Sequence, residues 1–292
     1  MRTARGTPVQ NRLTAEQHAS YWDEGYLYLP NLISEKDLAP LRQRTDSLIE
    51  ASRSLRESDS AFALEEGHSE TNPRLRRIAF LDDLDETFWR FAKRSKVLEV
   101  VAELLGPDIK FRDIKVNFKW EGGGSEIRWH QDFAYFPHTN HATCQALLQL
   151  GTVGADDGPV KVIPGSHRHG VFDHYDHRGD WTGHLQSEDL RSLPLHMAES
   201  MIGPAGSLLV LHGAVVHSSE PTIVDRRRSM LIIGYSAGDA MPVTPPLYPG
   251  SHYGETVHGS KPRCARFEAM SVRLPPAWPS TGIPRARVSR GD

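Results

Sequence analysis

The chain has 292 residues, a formal net charge of -3, and hydrophobic and charged fractions of 38% and 24%, which fit a globular protein with a sizeable core. The near balance of charge leaves no basic field for nucleic acid or an anionic membrane, and no apolar run approaches the ~18 residues of a membrane span. Two cysteines, Cys144 and Cys264, exclude a disulfide framework and a cysteine-based zinc site and make the cytoplasm the expected compartment.

Residues 1–12 are polar and do not read as a secretory signal. Thr14-Ala-Glu-Gln17 is a capping box that opens a helix through Trp22, with Gly25 to end it. Tyr26-Leu-Tyr-Leu29 reads as a strand closed by Pro30. Ser34-Glu-Lys-Asp37 starts a second helix whose Leu38, Leu41, Leu48 and Ile49 recur at helical spacing. Residues 51–72 are charged and weakly patterned, so a mobile loop or lid is expected. Glu65, Glu66 and His68 within it are candidates for touching a polar or cationic substrate. A third helix is expected over 86–105, with Phe88, Phe91, Val97, Val100, Val101, Leu104 and Leu105 as its buried stripe and Gly106-Pro107 as its stop.

Beyond Pro107 the texture changes to short β-type runs at 110–120, 127–135, 142–153, 159–163, 207–212 and 229–236. Turn signals at Gly122-Gly-Gly124, Asp156-Asp-Gly158 and Pro164-Gly165 separate them. The 24 glycines and 20 prolines fit such a turn-rich body. With no helices between the strands, a sandwich or jelly roll is expected rather than a parallel sheet. The tail 275–292 reads as extended or disordered. The whole reads as one domain over 1–292: a mainly helical layer and lid at 13–106, a jelly-roll core at 107–240 and a partly irregular extension at 241–292.

The sharpest local pattern is Trp129-His-Gln-Asp132. On a strand, residues i and i+2 share a face, so His130 and Asp132 would present an imidazole and a carboxylate side by side. A second histidine would complete a 2-His-1-carboxylate triad, the open Fe(II) site of non-haem oxygenases. His217, after the apolar run at 208–211, is the best candidate. The pair alone also fits a surface histidine beside a solvated aspartate, and His217 alone a core histidine.

Taken together these stretches resemble the phytanoyl-CoA dioxygenase family of Fe(II)/2-oxoglutarate oxygenases. The resemblance spans about 14–240. It is carried by Lys115-Val-Asn-Phe-Lys119, Trp129-His-Gln-Asp-Phe133, Val162-Ile-Pro-Gly-Ser-His167, and His217-Ser-Ser followed eleven residues later by Arg228-Ser. It implies a mainly β protein, a double-stranded β-helix (jelly roll) behind a helical N-terminal layer. It also implies iron on His130, Asp132 and His217, with 2-oxoglutarate on Arg228 assisted by Ser219 and Asn117. O₂ and a small-molecule substrate complete the reaction, in which 2-oxoglutarate gives succinate and CO₂. The chain departs from the family pattern at Leu150-Gly-Thr152, where acidic residues are usual; a changed turn is the expected consequence. The presence of Asp132 disfavours halogenation.

The arginine assignment has its own physical ground. A guanidinium fork matches a carboxylate, and on a strand Arg226 and Arg228 share one face while Arg227 points away. An inward arginine needs an anion partner; a solvated basic run at a strand start is the alternative. Trp129, Gln131, Phe133, Tyr135, His167 and Trp181 are candidates for the substrate pocket, with Phe136 beside them, although core packing serves the aromatic ones equally. His167, His169, His174, His177 and His184 lack the spacing of a zinc helix and read as a polar rim. The expected activity is oxidation of a polar small molecule, by hydroxylation or ring closure, in secondary metabolism. A jelly-roll binding protein with a vestigial site and a cupin-type enzyme independent of 2-oxoglutarate are the alternatives. Monomer and homodimer both stay open.

Overall fold

A computed structural model describes residues 13–120 and 126–278. The expectations for residues 1–12, for the glycines at 122–124 and for the tail beyond 278 lie outside the described residues.

The N-terminal layer forms as its caps dictate. Helix α1 (Ala15–Glu24) starts on the reciprocal Thr14–Gln17 capping box and stops at Gly25, whose φ of +82° suits glycine. Strand β1 (Tyr26–Leu29) leads to α2 (Glu35–Ala51), which buries Leu38, Leu41 and Ile49. The segment expected to be a lid is instead tied into the sheet. After a 3-10 turn at Ser52–Ser54, β2 (Phe62–Leu64) pairs with β3 (Leu75–Ile78), and Ala63 lies opposite Arg77. A short α3 (Leu81–Leu84) follows. The single helix expected over 86–105 is two, α4 (Glu86–Arg94) and α5 (Lys96–Leu105). Ser95 separates them in an extended conformation, as the C-cap of one and the N-cap of the next. A serine there competes with helix continuation, and the break lets each helix aim its own apolar face.

The remaining strands are β4 (Ile109–Lys119), β5 (Ile127–His130), β6 (Thr143–Gln149), β7 (Val160–Val162), β8 (Glu199–Ser200) after the short α6 (Ser187–Arg191), β9 (Leu208–His212), β10 (His217–Ser219), β11 (Arg228–Ala237) and β12 (Thr256–His258). They form two sheets. The larger runs β1-β9-β6-β11-β4-β3-β2, with β12 also on β4; the smaller runs β5-β10-β7-β8. All pairings are antiparallel. This is the expected jelly roll. The outer face of the large sheet carries Val116, Leu148, Val210, Leu231 and Ile233, which pack with Leu38, Phe88 and Val101 of the helical layer. The inner face carries Leu147, Leu209, Met230 and Ile232, which meet Val160 and Val162 of the small sheet. Period-2 alternation therefore separates an apolar layer under the helices from a mixed barrel interior. Among the described residues no helix is long and apolar enough to cross a membrane.

Candidate active site

Strand β5 ends at His130, two residues before Asp132. Asp132 opens a 3-10 turn, Asp132–Ala134, in which its carbonyl accepts from the Tyr135 and Phe136 amides. Gln131 between them is still extended, so His130 and Asp132 keep the same-side relation of residues i and i+2. His217 opens β10 and lies directly opposite His130 in the register. The three side chains converge: His130 Nε2 is 3.7 Å from Asp132 Oδ1, His217 Nε2 is 3.8 Å from Oδ2, and the two imidazole rings are 4.1 Å apart.

Backbone contacts fix which nitrogen of each ring is available. Nδ1 of His130 donates to the Arg128 carbonyl at 2.8 Å, and Nδ1 of His217 to that of Val215 at 3.1 Å. A carbonyl only accepts, so each Nδ1 carries a proton, and Nε2 is the nitrogen each ring turns toward Asp132 and can offer to a metal. Burial, helped by His130, pushes His217 down to about 4. Burial pushes the Asp132 carboxyl up, but His217, His130 and Lys115 outweigh it and hold it well below the usual carboxylate range. Two imidazoles and one carboxylate, all their ligand atoms within 4.8 Å, are a fitting donor set for a divalent metal with open positions. Among the described residues one other set, Asp82, Asp83 and His252, clusters as closely. There His252 Nδ1 is spent on Asp82 at 3.2 Å, and Asp83 takes the Ser251 hydroxyl.

The second end of the site lies deeper in the barrel. Arg228 is the first residue of β11, 5% exposed, with Nε and Nη1 lacking any hydrogen-bond partner. Burial lowers it to about 10, still charged at neutral pH. Ser219 Oγ and Asn117 Oδ1 are buried without partners as well. Lys119, opposite Arg228 in the register, donates to the Ser219 and Glu220 carbonyls at 3.3 and 2.5 Å; burial and Arg228 push it down to about 7. Its neighbours are engaged elsewhere: Arg226 on Asp157, and Arg227 on Asp46 at 2.6 Å with its guanidinium over Trp120. Strand β11 begins only at Arg228, so Arg226 and Arg227 precede it, and Arg226, half exposed on Asp157, does not share the buried face of Arg228 that alternation predicts. A buried guanidinium with two open donors, beside two orphaned polar groups, fits the carboxylate of 2-oxoglutarate.

The candidate pocket residues divide into two groups. The Tyr135 ring meets His130 edge-on at 6.0 Å, and Trp181 meets Tyr135 edge-on at 5.2 Å. Trp278 stacks on the other side of Tyr135 at 5.9 Å, so the residues just before 279 return to the barrel mouth. Phe136 packs near Tyr248 at 6.5 Å. The other four turn away from the metal ligands. Trp129 packs against Ile163, Leu185, Leu193 and Val216. Gln131 is fully buried, donating to the Gly170 and Ala214 carbonyls and accepting from the Phe172 amide. Phe133 is buried and stacks on His141 at 4.7 Å. His167 packs on His212 at 4.9 Å, its Nε2 against the Trp22 carbonyl. The outward-alternating residues of a ligand-bearing strand become its structural anchors. In the first segment, His68 spends both ring nitrogens on backbone at Arg74 and Ser52.

His174, expected in a polar rim, is instead buried with its Nε2 accepting from the Gln131 amide, and sequence reasoning missed the charged inner face of β4. The second had a signal: Asp113, Lys115, Asn117 and Lys119 alternate with the apolar Ile114, Val116 and Phe118.

A sequence model of the family described as "Phytanoyl-CoA dioxygenase (PhyH)" matches residues 21–230. A "Probable alpha-ketoglutarate-dependent hypophosphite dioxygenase" from Stutzerimonas stutzeri is 29% identical over 238 residues, 78% of this chain and 80% of the relative. An L-proline trans-4-hydroxylase from Streptomyces griseoviridis is 29% identical over 248 residues, 78% of this chain and 89% of the relative. The crystal structure of EctD from S. alaskensis with bound Fe superposes with a TM-score of 0.69 at 20% identity, covering 90% of each chain.

Proposed function

The chain belongs to the phytanoyl-CoA dioxygenase family and is a 2-oxoglutarate-dependent dioxygenase, and from that premise we propose that it hydroxylates or oxidatively cyclises a polar small molecule with iron on His130, Asp132 and His217. The observation that carries the assignment is the pair of Nε2 atoms left for a metal by backbone bonds to Nδ1, both turned toward one ionised carboxylate. Bound iron supplies the activation of O₂ that couples decarboxylation of 2-oxoglutarate to oxidation of the substrate.

The chain's own residues do the rest. Arg228 takes the distal carboxylate of 2-oxoglutarate through an open donor, Nε or Nη1, with Ser219 and Asn117 at hand to complete the contact. Lys119, held on two carbonyls, shapes that deep end. Tyr135, fixed by its hydroxyl bond to the Gly183 carbonyl at 2.6 Å, walls the site beside His130 and with Trp181 and Trp278 keeps water out. The names of the relatives, for proline and hypophosphite, support a small polar substrate, and we assign the reaction to secondary metabolism in the cytoplasm.

The test combines two measurements. Purified protein should bind about one Fe(II) per chain and release succinate from 2-oxoglutarate, and His130→Ala and His217→Ala should each lose most of both. Wild-type iron content and turnover in both variants would remove these histidines from the metal site.

A further inference from the structure

Residues 266–278 lead the chain back to the metal side of the barrel and are held in two places with a bare stretch between. The first hold is firm. The Arg266 and Glu268 amides donate to the Asp239 and Thr139 carbonyls at 3.0 Å each, and the Glu268 carboxylate accepts from the His141 amide at 3.0 Å and from its Nδ1 at 2.7 Å. Beyond Glu268 the backbone lets go: among the described residues, none of the amides of 269–278 donates a hydrogen bond. A segment without backbone hydrogen bonds opens at the cost of its side-chain contacts alone.

Those contacts converge on one loop, 173–182. Arg273 pairs with Asp173 at 2.9 Å, both side chains about half exposed, and its guanidinium lies 3.8 Å from the Tyr175 ring centre. The Tyr175 hydroxyl donates to the Leu274 carbonyl at 2.9 Å. Four residues after Leu274, Trp278 lies flat on Tyr135, ring centres 5.9 Å apart, and meets Trp181 edge-on at 5.7 Å. Tyr135 in turn touches His130, so Trp278 is one ring removed from a metal ligand. The Trp278 Nε1–H is buried without a partner. A buried indole N–H ordinarily finds an acceptor, and leaving it bare weakens the closed arrangement relative to one in which water reaches it.

We propose that residues 269–278 are a strap, hinged at Glu268, that covers and uncovers the metal centre, with Trp278 as its plug and Arg273 and Tyr175 as its latch. The inference rests on the metal centre proposed above and goes beyond it to the way in. The loop that receives the strap is the fixed part: Tyr175 and Trp181 pair across an antiparallel bridge, and the Thr182 and Gly183 amides return to the His174 carbonyl at 2.9 and 3.1 Å. His174 ties that loop to β5 by accepting from the Gln131 amide. Lifting the strap therefore uncovers Tyr135 while the loop and the metal ligands stay in place.

Two measurements on the full chain test this. Trp278 Nε1–H is its own reporter, because a buried proton exchanges with water only when the plug is out. Its signal in the proton NMR spectrum, identified by its loss in Trp278→Phe, should exchange at least about tenfold more slowly than a free indole. Arg273→Ala, which removes the ion pair and the ring contact, should speed that exchange about fivefold; Tyr175→Phe, which keeps the ring and loses the bond to Leu274, should speed it about threefold. Release of bound Mn(II) to excess EDTA should quicken by matching factors, since escape from a covered site scales with the open fraction. Exchange as fast as a free indole, exchange unchanged in both folded variants, or faster exchange without faster metal release overturns the proposal. Mn(II) held by the wild type and lost in His130→Ala reports on the metal centre separately. A wild type that holds none would sink that centre and the gating role with it, while the exchange rates still read the motion of the strap.

Discussion

Arg227 and Arg228 are adjacent in sequence and meet opposite surroundings, because alternation along the chain puts Arg228, the first residue of β11, on the inner face and leaves Arg227, just before the strand, outside. Arg228 enters the barrel and finds no partner for Nε or Nη1; Arg227 points out to Asp46 and lies over Trp120. Removing one member of a buried charged pair costs about 2–5 kcal/mol, roughly 30- to several-thousand-fold in affinity. Arg228→Gln should therefore weaken 2-oxoglutarate binding by at least about 30-fold, whereas Arg227→Gln, which loses only an exposed ion pair worth up to about 1 kcal/mol, should change it less than about fivefold. Calorimetry on the two variants compares them directly. Equal losses would show that the guanidinium facing the cosubstrate is not the one at 228. The same alternation separates His130 from Trp129 and Gln131, so residues beside a ligand in sequence are its supports in space.

The β5 strand and the turn after it show what a supporting element contributes. Gln131 ties three separate segments together, through the Gly170 and Ala214 carbonyls at 2.7 Å each and the Phe172 amide at 2.7 Å, while its own amide donates to His174. At about 1 kcal/mol for each of the three side-chain bonds, with buried groups left unsatisfied, Gln131→Ala should cost about 3 kcal/mol in urea unfolding. It should also speed hydrogen exchange at the Phe172 amide. Wild-type stability would mean that loop 170–174 is held by other contacts. This element also shows where sequence reading succeeds and stops. His130 and Asp132 are legible as a His-x-Asp pair on a strand, His217 and Arg228 through the family resemblance of their spacing, and most core strands from their apolar runs between turns. The end of β5 at His130 was not, since the 3-10 turn is set by the Phe133 amide reaching the Gly213 carbonyl at 2.7 Å, a contact 80 residues away in sequence. Strands β2 and β3 were missed because their short, charged segments gain their shape from pairing on β4 rather than from local pattern. The break at Ser95 was missed because both flanking helices keep apolar stripes, which periodicity reads as one.

Across the whole molecule, buried neutral histidines join the helical layer, the barrel and its rim, and they tie stability to pH. His212 lies behind β9 against α1, and its Nδ1 accepts from the Ala214 amide; His174 sits under the rim on the Gln131 amide; His138 donates Nδ1–H to the Phe136 carbonyl near the mouth. Burial lowers all three: His212 to about 3, with His167 and His141 adding to the effect; His138 to about 3, with Arg112 adding to it; and His174 to about 4, against an opposing bond to the Phe172 carbonyl. A folded-state value below the unfolded value of about 6.5 means that the unfolded chain binds more protons between the two. The stability contributed by keeping these rings neutral is therefore complete above pH ~6.5 and is lost as pH falls toward 3–4. From pH 7 to pH 5 each ring accounts for about 2 kcal/mol, so the three together should remove about 6 kcal/mol, a large share of the ordinary 5–15 kcal/mol of a folded domain. Protonation would also break the bonds that His174 and His212 accept from the backbone, so acid should loosen the Gln131 anchor and the α1 contact as the molecule weakens. Urea midpoints of the metal-free protein at pH 7 and pH 5, with the slope checked at each, measure the loss. His212→Gln, which cannot take up the proton, should reduce that pH dependence by about 2 kcal/mol. A total loss below about 2 kcal/mol over the interval would show that these imidazoles already accept protons in the folded protein.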